Sequence, residues 1–191
     1  MSRLQIIVVL ALGTVSCARE VRVSEGCASV VVPKGWVRDT RVPPGVLMTF
    51  RSLDKSQFGG VESADVVRVD AFPADGMTLA DLKDKLTGVT LAEVQRHVKE
   101  DLKPGLTVRQ LRPPVVTSTS VGSTPALRIV VDTDVTTEGK PVATRTVTVA
   151  ALVGGRFYGA VGGYPVAREQ QMKPLVDMFL ASFRLERCGA F

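Results

Sequence analysis

Aromatic side chains are scarce in this chain: one Trp, two Tyr and seven Phe, 5% of 191 residues. So few rings offer no stacking platform for single-stranded nucleic acid. Basic tracts are missing too. Lys and Arg never run longer than a pair and the net charge is only +5, so the composition excludes nucleic acid as a partner. Histidine occurs once, at His97, so no His–His pair exists for a metal or a general base and no His-plus-carboxylate spacing stands out. No G-x-S-x-G elbow, G-x-G-x-x-G fingerprint or G-x-x-x-x-G-K-[ST] loop is present. The expectation is a protein that is not an enzyme and needs no cofactor.

The longest apolar run, Leu4 to Leu12 broken only by Gln5, falls short of the roughly 20 residues of a membrane-spanning helix. Arg3 precedes it and the small residues Gly13-Thr14-Val15-Ser16 follow, the three-part layout of a secretory signal. Two cleavage sites fit. Val15-Ser16-Cys17 resembles the bacterial lipoprotein lipobox, with Thr14 where that motif has Leu. Cutting there removes residues 1–16 and leaves Cys17 as a lipidated, palmitate-type anchor. Alternatively, Ser16 and Ala18 guide a cut before Arg19, giving a soluble secreted chain. Both schemes leave Cys27 and Cys188 in an oxidising compartment, where an even pair of cysteines implies a disulfide. Closing so long a loop stabilises by about 4–5 kcal/mol in the chain-entropy model.

Beyond the signal, 45% hydrophobic and 23% charged residues describe an ordinary globular domain. Residues 19–26 are polar apart from Val21 and Val23, so 17–26 read as a tether or a loosely held leading segment; residues 27–191 read as one domain. Ala28–Val32 is a β-branched strand closed by the turn chemistry of Pro33-Lys34-Gly35-Trp36. Residues 46–53 and 64–72 alternate as strands around a polar hairpin loop at Gly59-Gly60. Thr78 with Asp81, and Thr90 with Glu93, form successive capping-box starts. Leu79, Leu82 and Leu86, then Leu91, Val94, Val98 and Leu102, give two short helices parted at Gly88. Strands follow over 107–111, 115–119, 126–135, 142–153 and 156–162, with Pro113-Pro114 at an edge or bulge. Met172 to Phe183 is spaced as a final helix, its regular part starting near Pro174. The class is α+β, an antiparallel β-sheet with helices packed on its faces.

Val30-Val31-Val32-Pro33-Lys34-Gly35-Trp36 and Phe179-Leu180-Ala181-Ser182-Phe183-Arg184, with strands, helix, strands and helix in order between them, resemble the PsbP-like fold. That α/β/α sandwich is shared by photosystem PsbP proteins, Ran-binding Mog proteins and bacterial envelope lipoproteins of the DcrB kind. The resemblance implies an envelope protein on the periplasmic side of a membrane, held by Cys17 and serving as an accessory or protein-interaction module. Ala18 rather than Asp after Cys17 implies the outer membrane. The alternative is a lipid or small-molecule carrier with a cleft between sheet and helices.

Single residues add little chemistry. Trp36 is a candidate to line such a cleft, or packs over the core edge. Asp132 and Asp134, near Glu138, are the densest acidic group, but Gly139 comes too late for a calcium loop. Asp81 and Asp84, interleaved with Lys83 and Lys85, read as a solvated helix face. The glycines from Gly154 to Gly163 read as turn and strand-curvature residues.

Overall fold

The structure, a computed structural model, describes residues 19–22, 27–40, 42, 44–52, 57–58, 61–62, 66–88, 106–137 and 140–186. Eight strands form one antiparallel sheet. They are β3 (Trp36–Arg38), β4 (Val46–Ser52), β7 (Val66–Pro73), β8 (Leu106–Gln110), β9 (Val115–Val121), β10 (Thr124–Thr137), β11 (Lys140–Val153) and β12 (Arg156–Pro165). Their order is β3-β4-β7-β12-β11-β10, and β8 and β9 then share the outer edge of the long β10. Pro113-Pro114 lie in the gap between those two short strands. Neither proline can donate to a ladder, so the edge breaks there. A smaller sheet joins β1 (Arg19–Arg22), β2 (Ala28–Val32) and β13 (Arg184–Leu185), with β2 in the middle. A hairpin of β5 (Gln57–Phe58) and β6 (Val61–Glu62) stands in the loop between β4 and β7.

Side-chain alternation gives the large sheet two apolar faces. One carries Met48, Phe50, Val67, Val69, Val147, Val149, Tyr158 and Ala160. It buries them against α2 (Glu169–Ser182) and β2, through Met172, Val176, Phe179, Leu180, Phe183, Val30 and Val32. Here Gly162 is required: a Cβ built on it would lie 2.4 Å from Val176 Cγ1, so only a bare backbone lets the helix settle on β12. The other face carries Leu127, Ile129 and Ala150, covered by Leu79, Leu82 and Leu86 of α1 (Leu79–Gly88). The predicted capping box forms. Thr78 N–H and its hydroxyl donate to Asp81 Oδ2 at 2.9 and 2.6 Å, and Asp81 N–H returns to Thr78 Oγ1 at 3.1 Å. Gly154 and Gly155, with φ of 56° and 71°, make the two-residue turn from β11 to β12, where positive φ at both positions matches strand twist.

Three expectations change. Arg19–Arg22, read as part of a polar tether, form β1 and pair with β2 from Arg19↔Val32 to Arg22↔Ser29. Strand pairing, not apolar periodicity, holds this segment. Trp36 does not merely close a turn; it opens β3, paired with Ser52. The last helix starts at Glu169, earlier than Pro174, which sits inside it. Pro174 and Gln170 are both exposed, so the carbonyl left without a donor faces solvent, while buried Met172 ties the first turn to the core. The expected second helix over 90–102, with His97, lies outside the described residues, as do Cys17, Cys188, Glu138 and Gly59-Gly60.

Candidate functional site

Asp132 and Asp134 occur two apart on β10 and therefore on one face, the side that α2 covers. The hairpin register sets Arg145 of β11 directly across from Asp132, with Tyr164 of β12 next across from Arg145. Arg145 Nε donates to Asp132 Oδ1 at 2.8 Å and its Nη2 to Oδ2 at 3.2 Å. Arg112, from the break between β8 and β9, donates to the same Oδ2. The remaining arm of Arg145 reaches Glu169 Oε1, in the first turn of α2, at 2.6 Å. Asp134 is held separately, by Arg109 Nη2 at 2.8 Å. A Gln110 amide to the Arg112 carbonyl, 2.7 Å, and Leu111 N–H to the Asp132 carbonyl, 2.9 Å, fix the β8–β9 break over the cluster.

These pairings decide what the cluster can do. Asp132 is almost fully buried, yet the Arg145 and Arg112 guanidiniums outweigh that burial and hold its carboxyl below the usual range. Asp132 in turn raises the proton affinity of Arg145. Burial, then the Glu169 charge, pushes the Tyr164 phenol up, with Arg145 opposing. A carboxylate so stabilised is a poor general base. The two aspartates answer to different arginines, Asp132 to Arg145 and Arg112 and Asp134 to Arg109, and among the described residues no group of three His, Cys, Asp or Glu is placed to hold a metal ion. The network is a strut between sheet, α2 and edge loop. Outward from it stand the more exposed Arg112 and Arg109, flanked by the exposed apolar Leu111 and Val115.

Among the other residues singled out from sequence, Trp36 is half-buried at the start of β3, packed against the core beneath α2. The N–H of Trp36 donates to the Pro33 carbonyl at 3.2 Å, closing the turn around Gly35, whose φ is 80°. Cys27 is half-buried at the entry to β2, and its carbonyl accepts from Glu186 N–H at 2.8 Å. Asp81 is spent on its capping box and Asp84 is exposed. Nothing brings Trp36 and the Asp132 network together.

Sequence reasoning missed Arg112, Arg145 and Glu169. It also missed Asp70, buried on the α1 side of β7 with Arg68 Nε 3.1 Å from its Oδ2. Burial raises the Asp70 carboxyl, with Arg68 opposing, and among the described residues its Oδ1 accepts no hydrogen bond, although Arg68 Nε stands 3.1 Å from it. For Arg145 a signal existed. Pairing Thr137 with Lys140 and counting back along the predicted hairpin sets Asp132 opposite Arg145.

No protein-family model matches the chain, and no curated protein does. Solved structures do. Cyanobacterial PsbP (CyanoP) of Synechocystis aligns with a TM-score of 0.58 at 15% identity, over 91% of this chain and 95% of that one. The Ran-binding protein Mog1p of Saccharomyces cerevisiae aligns with a TM-score of 0.53 at 15% identity, over 88% and 95%. At such identities the likeness concerns architecture alone: the chain adopts the PsbP-like fold, an α+β sandwich.

Proposed function

We propose that this protein is a non-enzymatic envelope lipoprotein: Cys17 carries the lipid, the PsbP-like body faces the periplasm, and the body serves as an accessory module that binds another envelope component. The observation that carries this reading is the scaffold. In Mog1p it belongs to a Ran-binding protein, so it can present a protein-binding surface. The Asp132 network supports the same reading, because its charges are spent on one another rather than held ready for proton transfer. Arg109, Leu111, Arg112 and Val115 are the surface assigned to the partner, apolar contacts bordered by guanidiniums. The outer membrane is the assigned location, following Ala18.

The same proposal includes a Cys27–Cys188 disulfide. Glu186 N–H binds the Cys27 carbonyl and Leu185 pairs with Ala28, so the chain arrives at Cys27 two residues before Cys188. Mass spectrometry of the mature N-terminus is the test. A diacylglycerol-modified Cys17 is the expected first residue; an unmodified chain starting at Arg19 defeats the lipoprotein.

A further inference from the structure

We infer that the Pro33–Trp36 turn is the membrane-facing end of the body, with Lys34 and Trp36 meeting the head-group layer of the anionic bilayer that holds the anchor. This rests on the lipidation of Cys17 proposed above and adds the orientation.

The argument is one of reach. The first described strand, β1, starts at Arg19, two residues after Cys17 in the sequence. Two residues span at most about 7 Å, so the lipid-bearing residue cannot stray far from the start of β1. In β1 the first residue, Arg19, pairs with Val32, the last residue of β2. Paired Cα atoms lie about 5 Å apart. The chain leaves Val32 directly into Pro33-Lys34-Gly35-Trp36, which puts Lys34 within roughly 20 Å of the Cys17 backbone even if every connection is fully extended. A body held this closely cannot turn the end carrying the turn away from the bilayer.

The chemistry of that end suits the contact. Lys34 and Gly35 are exposed at the tip of the turn. Cations at this position gain from anionic head groups. Trp36 is half-buried, its ring partly on the core and partly available, and an indole with one apolar and one wet side favours the membrane interface. The aromatic pair Phe72–Phe157, with ring centroids 4.3 Å apart, lies toward the opposite end of the sheet. Val66 pairs with Arg51 beside the Trp36 end, and Phe72 is six residues further along β7, about 20 Å away.

Trp36 is the chain's single tryptophan, so its fluorescence reports this end alone. The full lipidated protein is reconstituted in phosphatidylethanolamine–phosphatidylglycerol vesicles containing lipids brominated near the head-group end of the acyl chain. The expected result is a blue shift and strong quenching of Trp36, with a marked loss of quenching in Lys34→Glu. A Trp36→Phe, Phe72→Trp double variant, moving the reporter to the far end, is expected to escape quenching. If Cys17 is acylated and the protein floats with vesicles, yet Trp36 is unquenched or the relocated tryptophan is quenched equally, the orientation is wrong and the lipoprotein stands. If Cys17 is unmodified and the protein does not float, both fall.

Discussion

Asp132 shows how a nearly buried carboxylate is kept charged. Arg145 engages both of its oxygens, Arg112 adds a second donor to Oδ2, and Arg145 is oriented by Glu169 on its far side. Removing the acid leaves Arg145 partly buried without its principal partner, and breaking such a pair costs about 3 kcal/mol. Asp132→Ala should therefore lower the unfolding free energy by that amount in chemical denaturation. The pH dependence has a defined sign. Because folding lowers this carboxyl's proton affinity, its contribution is complete above the ordinary aspartate value and is lost as pH falls through the lower, folded value. The parent protein should lose stability in that acid window, and the alanine variant should show a shallower loss. Asp70 works in the opposite direction. Its carboxyl is raised, so the folded state loses relative stability as pH climbs past the ordinary aspartate value. At this scale the sequence was only half informative: Asp132 and Asp134 stood out as a pair, but their neutralising arginines are 13, 20 and 25 residues away along the chain.

Among the elements, the fit of α2 on β12 depends on the absence of one carbon. Gly162→Ala would drive a methyl into Val176 Cγ1, a residue with no exposed surface, and overpacking of this kind costs about 1–3 kcal/mol. Adding Val176→Ala should recover part of that loss, and a double-mutant cycle in denaturant would measure the coupling. The elements legible in the sequence are those that carry their own local reason. The Thr78–Asp81 box and the Leu79, Leu82, Leu86 stripe specify α1 without help from afar. The long β10–β11 hairpin is specified by its alternation. β1, β3 and β13 escaped because four, three and two residues hold no periodicity. They exist only because a partner strand supplies hydrogen bonds. Pro174 misled for a related reason: its position in the helix is decided by burial of Met172 and the Glu169–Arg145 pair, both tertiary.

Across the whole molecule, the two sheets are joined through one core beneath α2, so the segments near both termini belong to the same packed unit. The proposed Cys27–Cys188 bond would close that unit covalently. Cys188→Ser should then cost about 2–4 kcal/mol, and Cys27→Ser the same, with no further loss in the double variant. Equal stability of all three to the parent, with both thiols open to alkylation in the folded parent, would exclude the bond. The PsbP-like architecture could be read from strand and helix order and two short motifs, whereas the faces on which α1 and α2 lie required the register.

The central position of β2 bears on the order of assembly. One neighbour, β1, precedes it in the chain by a few residues, but the other, β13, follows every other described strand. Joining residues 28 and 185 closes a loop of most of the polypeptide, a slow step by its entropy. A chain folding as it is made can zip the hairpins of the large sheet as they emerge, yet β2 must wait with one flank bare until Leu185 is released. That interval is when the protein is most open to a chaperone, a protease or a neighbouring copy.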